Sequence, residues 1–244
     1  MPIRSRSKAR RAIRKLSKWV AYQYRITRRT VIDIEGILIR VGRHMSPRVE
    51  RALAKGGYEA EQLRLLGQIL SPEDVVLEVG AGLGLVSTFC AQRLGSEHVF
   101  AFEADPDLEP CIRETYLLNG VEPTLEMCAV GPRAERVTLE RNRHVLASSV
   151  ARRRVGSGPV EVSGKSLRHL VDKIHPTLVI IEATCADCHM FDGPELPGVS
   201  RVLLELHDLV LGTDGTDQVR TALNQLGFHQ DQRVSSPEHL LFRH

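Results

Sequence analysis

The stretch VVLEVGAGLG, which runs from Val75 to Gly84, decides the fold of this 244-residue chain. It is a continuous apolar run with one acid, Glu78, and it ends in three glycines. Such a run is typical of a central parallel strand that is buried on both faces. The closely spaced glycines predict a tight turn into a helix. The segment therefore predicts the first strand-turn-helix unit of an α/β domain.

A second strand follows in HVFAFEADP, from His98 to Pro106, and its acid Glu103 lies 23 residues after Gly80. Further apolar runs recur downstream, at Leu125 to Val130, Leu178 to Glu182 and Val202 to Leu206. Strands that alternate with helical segments predict a doubly wound, mostly parallel, Rossmann-like sheet. Ligands of such sheets bind beyond the carboxyl ends of the strands. The glycine turn and Glu103 are both predicted to lie at that edge.

Upstream of this unit, the pattern predicts a short β-hairpin and two helices. TVIDIEGILIRVG, from Thr30, alternates around a turn at Glu35-Gly36. Ser46-Pro47 opens a helical stretch, and YEAEQLRLLGQIL, from Tyr58, opens a second that ends before Ser71-Pro72. One face of this second helix carries Leu63, Leu66 and Leu70. We place one domain over residues 31–244.

The spacing of the glycines indicates which ligand the turn binds. They fall at alternate positions, Gly80, Gly82 and Gly84. A dinucleotide site needs glycine three positions after its second one, to hold a pyrophosphate, and this chain has Leu85 there. Glu103 suits the hydroxyls of a ribose, and Glu78 suits a ligand with a sulfonium and an ammonium group. The pattern thus predicts S-adenosylmethionine as the cofactor.

The successive motifs resemble those of the FkbM-type methyltransferases. They are VVLEVGAGLGLVS, FAFEADP, Asn119 in YLLNG, and Ala147-Ser148-Ser149, preceded by a segment with the Tyr58-Glu59 pair. The resemblance spans Val31 to Phe242. It implies a class I methyltransferase fold that binds S-adenosylmethionine and methylates a hydroxyl of a sugar, polysaccharide or secondary metabolite. It also implies that Tyr58, Glu59 and Asn119 bind the cofactor with the glycines, Glu78 and Glu103.

One segment departs from the family pattern. Where the family reads an apolar strand and then Lys-Ile-Asp-x-Glu-Gly-x-Glu, this chain has LVIIEATCAD, which keeps the acids Glu182 and Asp187. A hydroxyl acceptor benefits from a base in methyl transfer. We predict Glu182 for that role, with Asp187 and His207 as alternatives, acting on a small-molecule or glycan acceptor.

The same region contains the spacing C-x-x-C-H, from Cys185 to His189. Covalent haem would require export, and zinc would require a further ligand such as Cys128 or His207. We interpret the motif as local packing and predict no metal. The chain has five cysteines, an odd and mostly scattered set that fits reduced thiols, so we expect no structural disulfide.

Charge is distributed unevenly along the chain. The first thirty residues carry 11 Lys or Arg and no acid, whereas the remainder has 22 basic and 30 acidic residues. In the basic part, Ile13, Leu16, Val20 and Tyr24 recur at helical spacing, which predicts an amphipathic N-terminal helix over residues 1–30. Its alternatives are an anchor on an anionic membrane with Trp19 at the interface, an arm that is solvated or packs on its own domain, an RNA contact, or a transit peptide.

The acidic body argues against nucleic acid as a partner. No apolar run is long enough to span a membrane and no secretory signal is present, so we expect a cytoplasmic protein, and a peripheral position at the membrane is the alternative that residues 1–30 leave open. Two other functions remain open: a catalytically degenerate, cofactor-binding adaptor, and an RNA methyltransferase that uses the basic tail.

Overall fold

The computed structural model describes residues 31–42, 45, 47–139, 159–182, 190–191, 195–205, 208–236 and 238–244. The elements of these residues are, in chain order, β1 (Val31–Ile34), β2 (Ile37–Arg40), α1 (Pro47–Ala54), α2 (Ala60–Ile69), β3 (Val76–Val79), α3 (Leu85–Leu94), β4 (Val99–Glu103), α4 (Glu109–Asn119), β5 (Thr124–Met127), β6 (Ala129–Gly131), β7 (Val137–Leu139), β8 (Val160–Val162), β9 (Gly164–Ser166), α5 (Leu167–Ile174), β10 (Leu178–Glu182), β11 (Arg201–Glu205), α6 (Asp208–Gln225), β12 (His229–Gln230) and β13 (His239–Arg243). The predicted N-terminal helix, residues 1–30, lies outside the described residues.

A seven-stranded sheet organises the domain, in the order β12-β13-β11-β10-β3-β4-β5. The strands β5, β4, β3, β10 and β11 pair in parallel, and β13 runs antiparallel between β11 and β12. Counted along the chain, the seven strands have the order 3-2-1-4-5-7-6. From β3 the chain first adds strands on one side, β4 and β5, and then on the other side, starting with β10. Doubly wound sheets bind their ligands at such a switch point, which lies here between β3 and β10. The predicted doubly wound, mostly parallel sheet is therefore confirmed.

Side chains of alternate strand residues enter two separate cores. On one face, Val76, Ala101 and Ile180 pack with α1 to α4 and the hairpin; on the other, Leu77 and Val179 pack with α5 and α6. Both faces are covered, which explains why the central strands read as continuous apolar runs. The polar residues that interrupt those runs must therefore occur in a site or a buried network.

A buried ion pair holds the amino-terminal edge of the sheet. Arg201, at the start of β11, pairs with Asp74 and donates to the carbonyl of Ile69. Asp74 also accepts hydrogen bonds from the Thr177 hydroxyl at 2.6 Å and the Ser71 N–H at 2.7 Å. Each buried charge of this pair therefore has hydrogen-bond partners, as a buried ion pair requires.

The predicted hairpin and the two upstream helices are confirmed, but Leu70, predicted on the apolar face of α2, follows the last residue of that helix. The hairpin turns at Glu35 and Gly36, and α2 buries Leu63 and Leu66 completely. The predicted strand from Leu125 to Val130 is instead divided at Cys128, because β6 leaves the main sheet to pair with β9. Among the described residues, no helix has both the length and the apolar character to cross a membrane.

Candidate functional site

Three left-handed glycines shape the turn between β3 and α3. Gly80, Gly82 and Gly84 have φ of +91°, +57° and +77°. Residues with a Cβ avoid this region, which accounts for glycine at every second position. At Gly84 a Cβ would lie 3.0 Å from side-chain atoms of Ile112 and Tyr116, so α4 packs directly on the turn. At Gly82 the space is wider, and the atom nearest to such a Cβ lies 3.6 Å away.

Glu103 lies beside this turn, as predicted. Its Oε2 accepts the N–H of Gly82 at 2.9 Å, and its Oε1 accepts the N–H of Asp105 at 2.7 Å. Burial raises the pKa of the Glu103 carboxyl to about 7, although these two backbone hydrogen bonds lower it. Each oxygen retains a further acceptor position, which is the requirement for holding vicinal hydroxyls.

Glu78, two residues before the first glycine, is 2% exposed. Burial raises its pKa to about 8, while hydrogen bonds from Ser87 on α3 lower it. The hydroxyl of Tyr116 donates to Ser87 at 2.9 Å, so Ser87 lies between Tyr116 and Glu78. The Oε2 atom of Glu78 is buried without a hydrogen-bond partner. An orphaned carboxylate oxygen in a protein interior is costly unless a ligand supplies the missing contact.

Tyr58 and Glu59 cover the glycine turn from the start of α2. A Cβ at Gly82 would lie 3.6 Å from the Tyr58 hydroxyl and 3.7 Å from Oε1 of Glu59. The two side chains are hydrogen-bonded to each other. The pKa of Glu59 is held well above its usual range, chiefly by burial and next by the charges of Glu205 and Glu182. The pKa of Tyr58 is also raised, chiefly by burial and next by the charge of Glu59. The Oε2 atom of Glu59 is buried without a hydrogen-bond partner, like that of Glu78.

Glu182 and Glu205 are register partners at the ends of β10 and β11. Alternation along the strands places both on the face of the sheet that carries Glu78 and Glu103. Neighbouring strands are about 4.8 Å apart, so the two acids lie side by side. We call Glu59, Glu78, Glu103, Glu182 and Glu205 the carboxylate cluster. It spans the carboxyl edge of four parallel strands.

The sequence analysis did not select Glu205 or His239. His239 begins β13 as the register partner of Glu205, on the same face of the sheet. It is 4% exposed, and its Nδ1 lies 3.4 Å from Ser236 Oγ and 3.8 Å from Glu61 on α2. Glu205 could have been found because it ends a predicted strand as Glu182 does. His239 could not, since its position depends on an antiparallel strand from the far end of the chain.

The structure separates Asn119 from the other predicted cofactor residues. Its side chain accepts the N–H of Leu38 at 2.9 Å and donates to the carbonyls of Leu38 at 2.7 Å and Thr115 at 2.8 Å. It lies next to Gln92, near the end of α3 that is remote from the glycine turn. In this position Asn119 joins the hairpin to α4.

Several predicted features lie outside the described residues: Asp187, His207, the Cys185-to-His189 motif and Ala147-Ser148-Ser149. Within the part of the chain that is described, no group of three or more His, Cys, Asp or Glu side chains is arranged to hold a metal ion.

The sheet order and the position of the site define a Rossmann-like fold of the class I methyltransferase type. No family model matches the chain. Over 62 residues it is 42% identical to ribosomal RNA small subunit methyltransferase A of Rubrobacter xylanophilus. These residues make up 25% of this chain and 23% of that protein. The chain thus aligns with about a quarter of the length of that curated relative.

Among solved structures, the chain is similar to precorrin-6y C5,15-methyltransferase of Geobacter metallireducens, with 14% identity over 76% of this chain and 87% of that chain, and a TM-score of 0.47. It is also similar to TYW2 of P. horikoshii in complex with MeSAdo, with 13% identity over 87% and 69% of the two chains and a TM-score of 0.45. Because these TM-scores are below 0.5, the function of this chain has to be inferred from its own site.

Proposed function

We propose that this protein is an S-adenosylmethionine-dependent methyltransferase. The observation that carries the proposal is a pair of acids beside the glycine turn, the buried Glu78 and the half-buried Glu59, whose inaccessible Oε2 atoms have no hydrogen-bond partner. Such a site favours a cationic ligand, because an opposite charge offsets the cost of burying a carboxylate. A dinucleotide would instead bring a pyrophosphate, whose negative charge would not stabilise the ionised form of these acids.

The residues of the site fit the parts of this cofactor. Gly82 allows the backbone to approach the ligand closely, and the remaining acceptor positions of Glu103 suit ribose hydroxyls. Glu59 supplies negative charge for the sulfonium group, and Glu78 supplies it for the ammonium group. The cofactor supplies an electrophilic methyl group, and the protein contributes orientation and exclusion of water.

The acceptor is proposed to be a hydroxyl on a sugar, polysaccharide or secondary metabolite. The resemblance of the motifs to FkbM-type enzymes supports this class, and so does the polar end of the site, where Glu182, Glu205 and His239 follow one another across the sheet. Carboxylates and imidazole accept hydrogen bonds from hydroxyl groups. Glu182 is the proposed base that takes the hydroxyl proton, and Asp187 and His207 are the alternatives.

An RNA acceptor has less support in this chain. The curated relative acts on ribosomal RNA by its name. However, residues 31–244 carry 22 basic and 30 acidic side chains, and the carboxylate cluster adds negative charge where an RNA phosphate would approach.

The basic segment 1–30 is proposed to contact anionic membrane surfaces. It carries 11 Lys or Arg and no acid, and each such charge near an anionic leaflet contributes about 1 kcal/mol. Cosedimentation with vesicles containing phosphatidylserine should decrease strongly when residues 1–30 are removed. Equal sedimentation of the full and shortened chains would contradict this contact.

Calorimetric titration with S-adenosylmethionine and S-adenosylhomocysteine tests the proposed activity. We expect binding to the wild type and its loss in Gly82→Arg, whose side chain would occupy the site. Gly120→Arg is the matched control, because Gly120 also has a left-handed backbone, with φ of +64°, a Cβ there meets nothing within 4 Å, and it follows Asn119 away from the glycine turn. Absence of binding to the wild type would reject the methyltransferase proposal and favour an adaptor that has lost its cofactor.

A further inference from the structure

The carboxylate cluster contains more acidic groups than a nucleoside pocket requires. A ribose needs one carboxylate as an acceptor, and Glu103 is in place for it. Glu78, which is buried, and Glu59, which is half-buried, are additional, and each has one inaccessible oxygen without a hydrogen-bond partner. These additional acids affect which form of the cofactor the site retains.

We propose that Glu59, supported by Glu78, makes the site select the methyl-bearing sulfonium cofactor over its neutral demethylated product. This inference rests on the proposed function. Its physical basis is that the two ligands share the adenosine and the amino acid part. They differ at the sulfur by one methyl group and one positive charge. A carboxylate near that sulfur therefore stabilises one complex and not the other.

Glu59 is placed for this role by the start of α2. Its backbone is left-handed, with φ of +53°, an uncommon conformation for a residue with a side chain. The carboxylate lies against Gly82, with Oε1 3.7 Å from where a Cβ would be. Because Gly82 lacks a side chain, nothing from that residue separates Glu59 from a ligand on the turn.

Protonation reinforces the selection. The ionisable groups that act most strongly on Glu59 are Tyr58 on its own segment, Glu78 on β3, Glu182 on β10 and Glu205 on β11. Glu59 and the three other carboxyl groups repel one another when all four are ionised. Without a cation the cluster therefore holds protons. A sulfonium ion favours the ionised form and expels protons to solvent. The demethylated product lacks the sulfonium charge, so the cluster takes up protons again after methyl transfer. The site then has no electrostatic preference for retaining the product.

The proposal predicts three linked results for the full chain. At pH 8 the wild type binds S-adenosylmethionine about tenfold or more tightly than S-adenosylhomocysteine, and this ratio falls toward pH 6. Titration in phosphate and in Tris, whose ionisation enthalpies differ, shows proton release with the first ligand and much less with the second. Sinefungin, which carries an amine in place of the methyl sulfonium, behaves like the charged ligand.

The Glu59→Gln variant identifies the residue responsible. It should lose about tenfold in affinity for S-adenosylmethionine and change less than twofold for S-adenosylhomocysteine. Glu73→Gln, the same substitution at an exposed position near the amino-terminal ends of the strands, is the matched control and should leave the ratio unchanged. Thermal unfolding of both variants checks that they are folded, and the pH dependence of the wild type tests the proposal without any substitution.

The outcomes separate this inference from the function on which it rests. Equal affinity of the wild type for both ligands at pH 6 and pH 8 would overturn the selection and leave the methyltransferase proposal standing. Equal weakening of both ligands by Glu59→Gln would also overturn it, because Glu59 would then only shape the pocket. Failure of the wild type to bind either ligand would overturn both proposals.

Discussion

The backbone N–H of Gly82 donates to Oε2 of Glu103 at 2.9 Å, which joins the turn after β3 to the end of the neighbouring strand β4. A second N–H, from Asp105, binds the other oxygen at 2.7 Å. One side chain therefore sets the conformation of two loops at the mouth of the site. The acid that is available to a ribose is also the one that holds the turn in shape.

Removing this carboxylate should loosen both loops. In Glu103→Ala we expect the amide hydrogens of Gly82 and Asp105 to exchange about tenfold faster or more, since a hydrogen bond to a charged group contributes about 1.5–3 kcal/mol. Gly80 is an internal control, because its N–H binds the Phe102 carbonyl instead. Hydrogen exchange followed by NMR makes the measurement. Unchanged exchange at Gly82 would show that the glycine backbone alone holds the turn.

Gly84→Ala should destabilise the protein through packing as well as backbone strain. Its φ is +77°, and the new methyl would lie 3.0 Å from atoms of Ile112 and Tyr116. We expect a loss of about 2–4 kcal/mol in the free energy of unfolding, measured by urea denaturation. Gly120→Ala has a similar φ of +64° with open space around it, so it isolates the backbone cost. Equal losses in the two variants would refute the packing contribution.

Glu78→Gln should stabilise the ligand-free protein at alkaline pH. The folded pKa of about 8 exceeds the usual 4.5, so below pH 4.5 both the folded and unfolded states hold the proton and the carboxyl has no pH-linked effect. As pH rises from 4.5 toward 8, the unfolded state loses the proton first, and stability falls by about 1.4 kcal/mol per pH unit. The glutamine avoids this loss.

We therefore expect Glu78→Gln to be more stable than the wild type by roughly 3–5 kcal/mol at pH 8, relative to their difference at pH 4.5. Urea unfolding at the two pH values gives the comparison. The same variant should bind S-adenosylmethionine more weakly, because it lacks the charge. A stability difference that does not vary with pH would mean that Glu78 is ionised in the folded protein throughout this range.

The buried pair of Asp74 and Arg201 should matter for stability and not for ligand binding. Arg201→Met leaves the Asp74 carboxylate buried without its cation, and we expect a loss of about 3–5 kcal/mol. Arg113→Ala removes an exposed pair with Glu109 and should cost less than about 0.5 kcal/mol. Cofactor affinity should stay within about twofold in any folded fraction. A selective loss of affinity would contradict the assignment of this pair to the structural edge.

Asn119→Ala tests whether this residue holds the hairpin or the cofactor. Loss of its bonds to Leu38 should speed hydrogen exchange in β2 and cost about 1–3 kcal/mol. Cofactor affinity should change less than about twofold, because Asn119 lies far from the glycine turn. A large loss of affinity with normal exchange in β2 would restore the cofactor role that the resemblance implied.

Local patterns were sufficient to predict the central part of the fold and of the site. The run from Val75 to Gly84 predicted β3 and its turn, and the offset between Gly80 and Glu103 predicted two neighbouring strand ends. This succeeded because a strand, a tight turn and a right-handed crossover are determined over short stretches of chain. The hairpin was predictable for the same reason, as its strands pair across a two-residue turn.

What the sequence by itself determined was therefore the glycine turn and the acids at the ends of its strands. Only the tertiary structure decided that His239 adjoins Glu205, because β13 inserts antiparallel beside β11 from the end of the chain. It also decided that Asn119 binds the hairpin and that the strand near Cys128 divides. Such contacts join segments far apart in sequence, and they depend on which surfaces pack together once the sheet has formed, so no short pattern of residues encodes them.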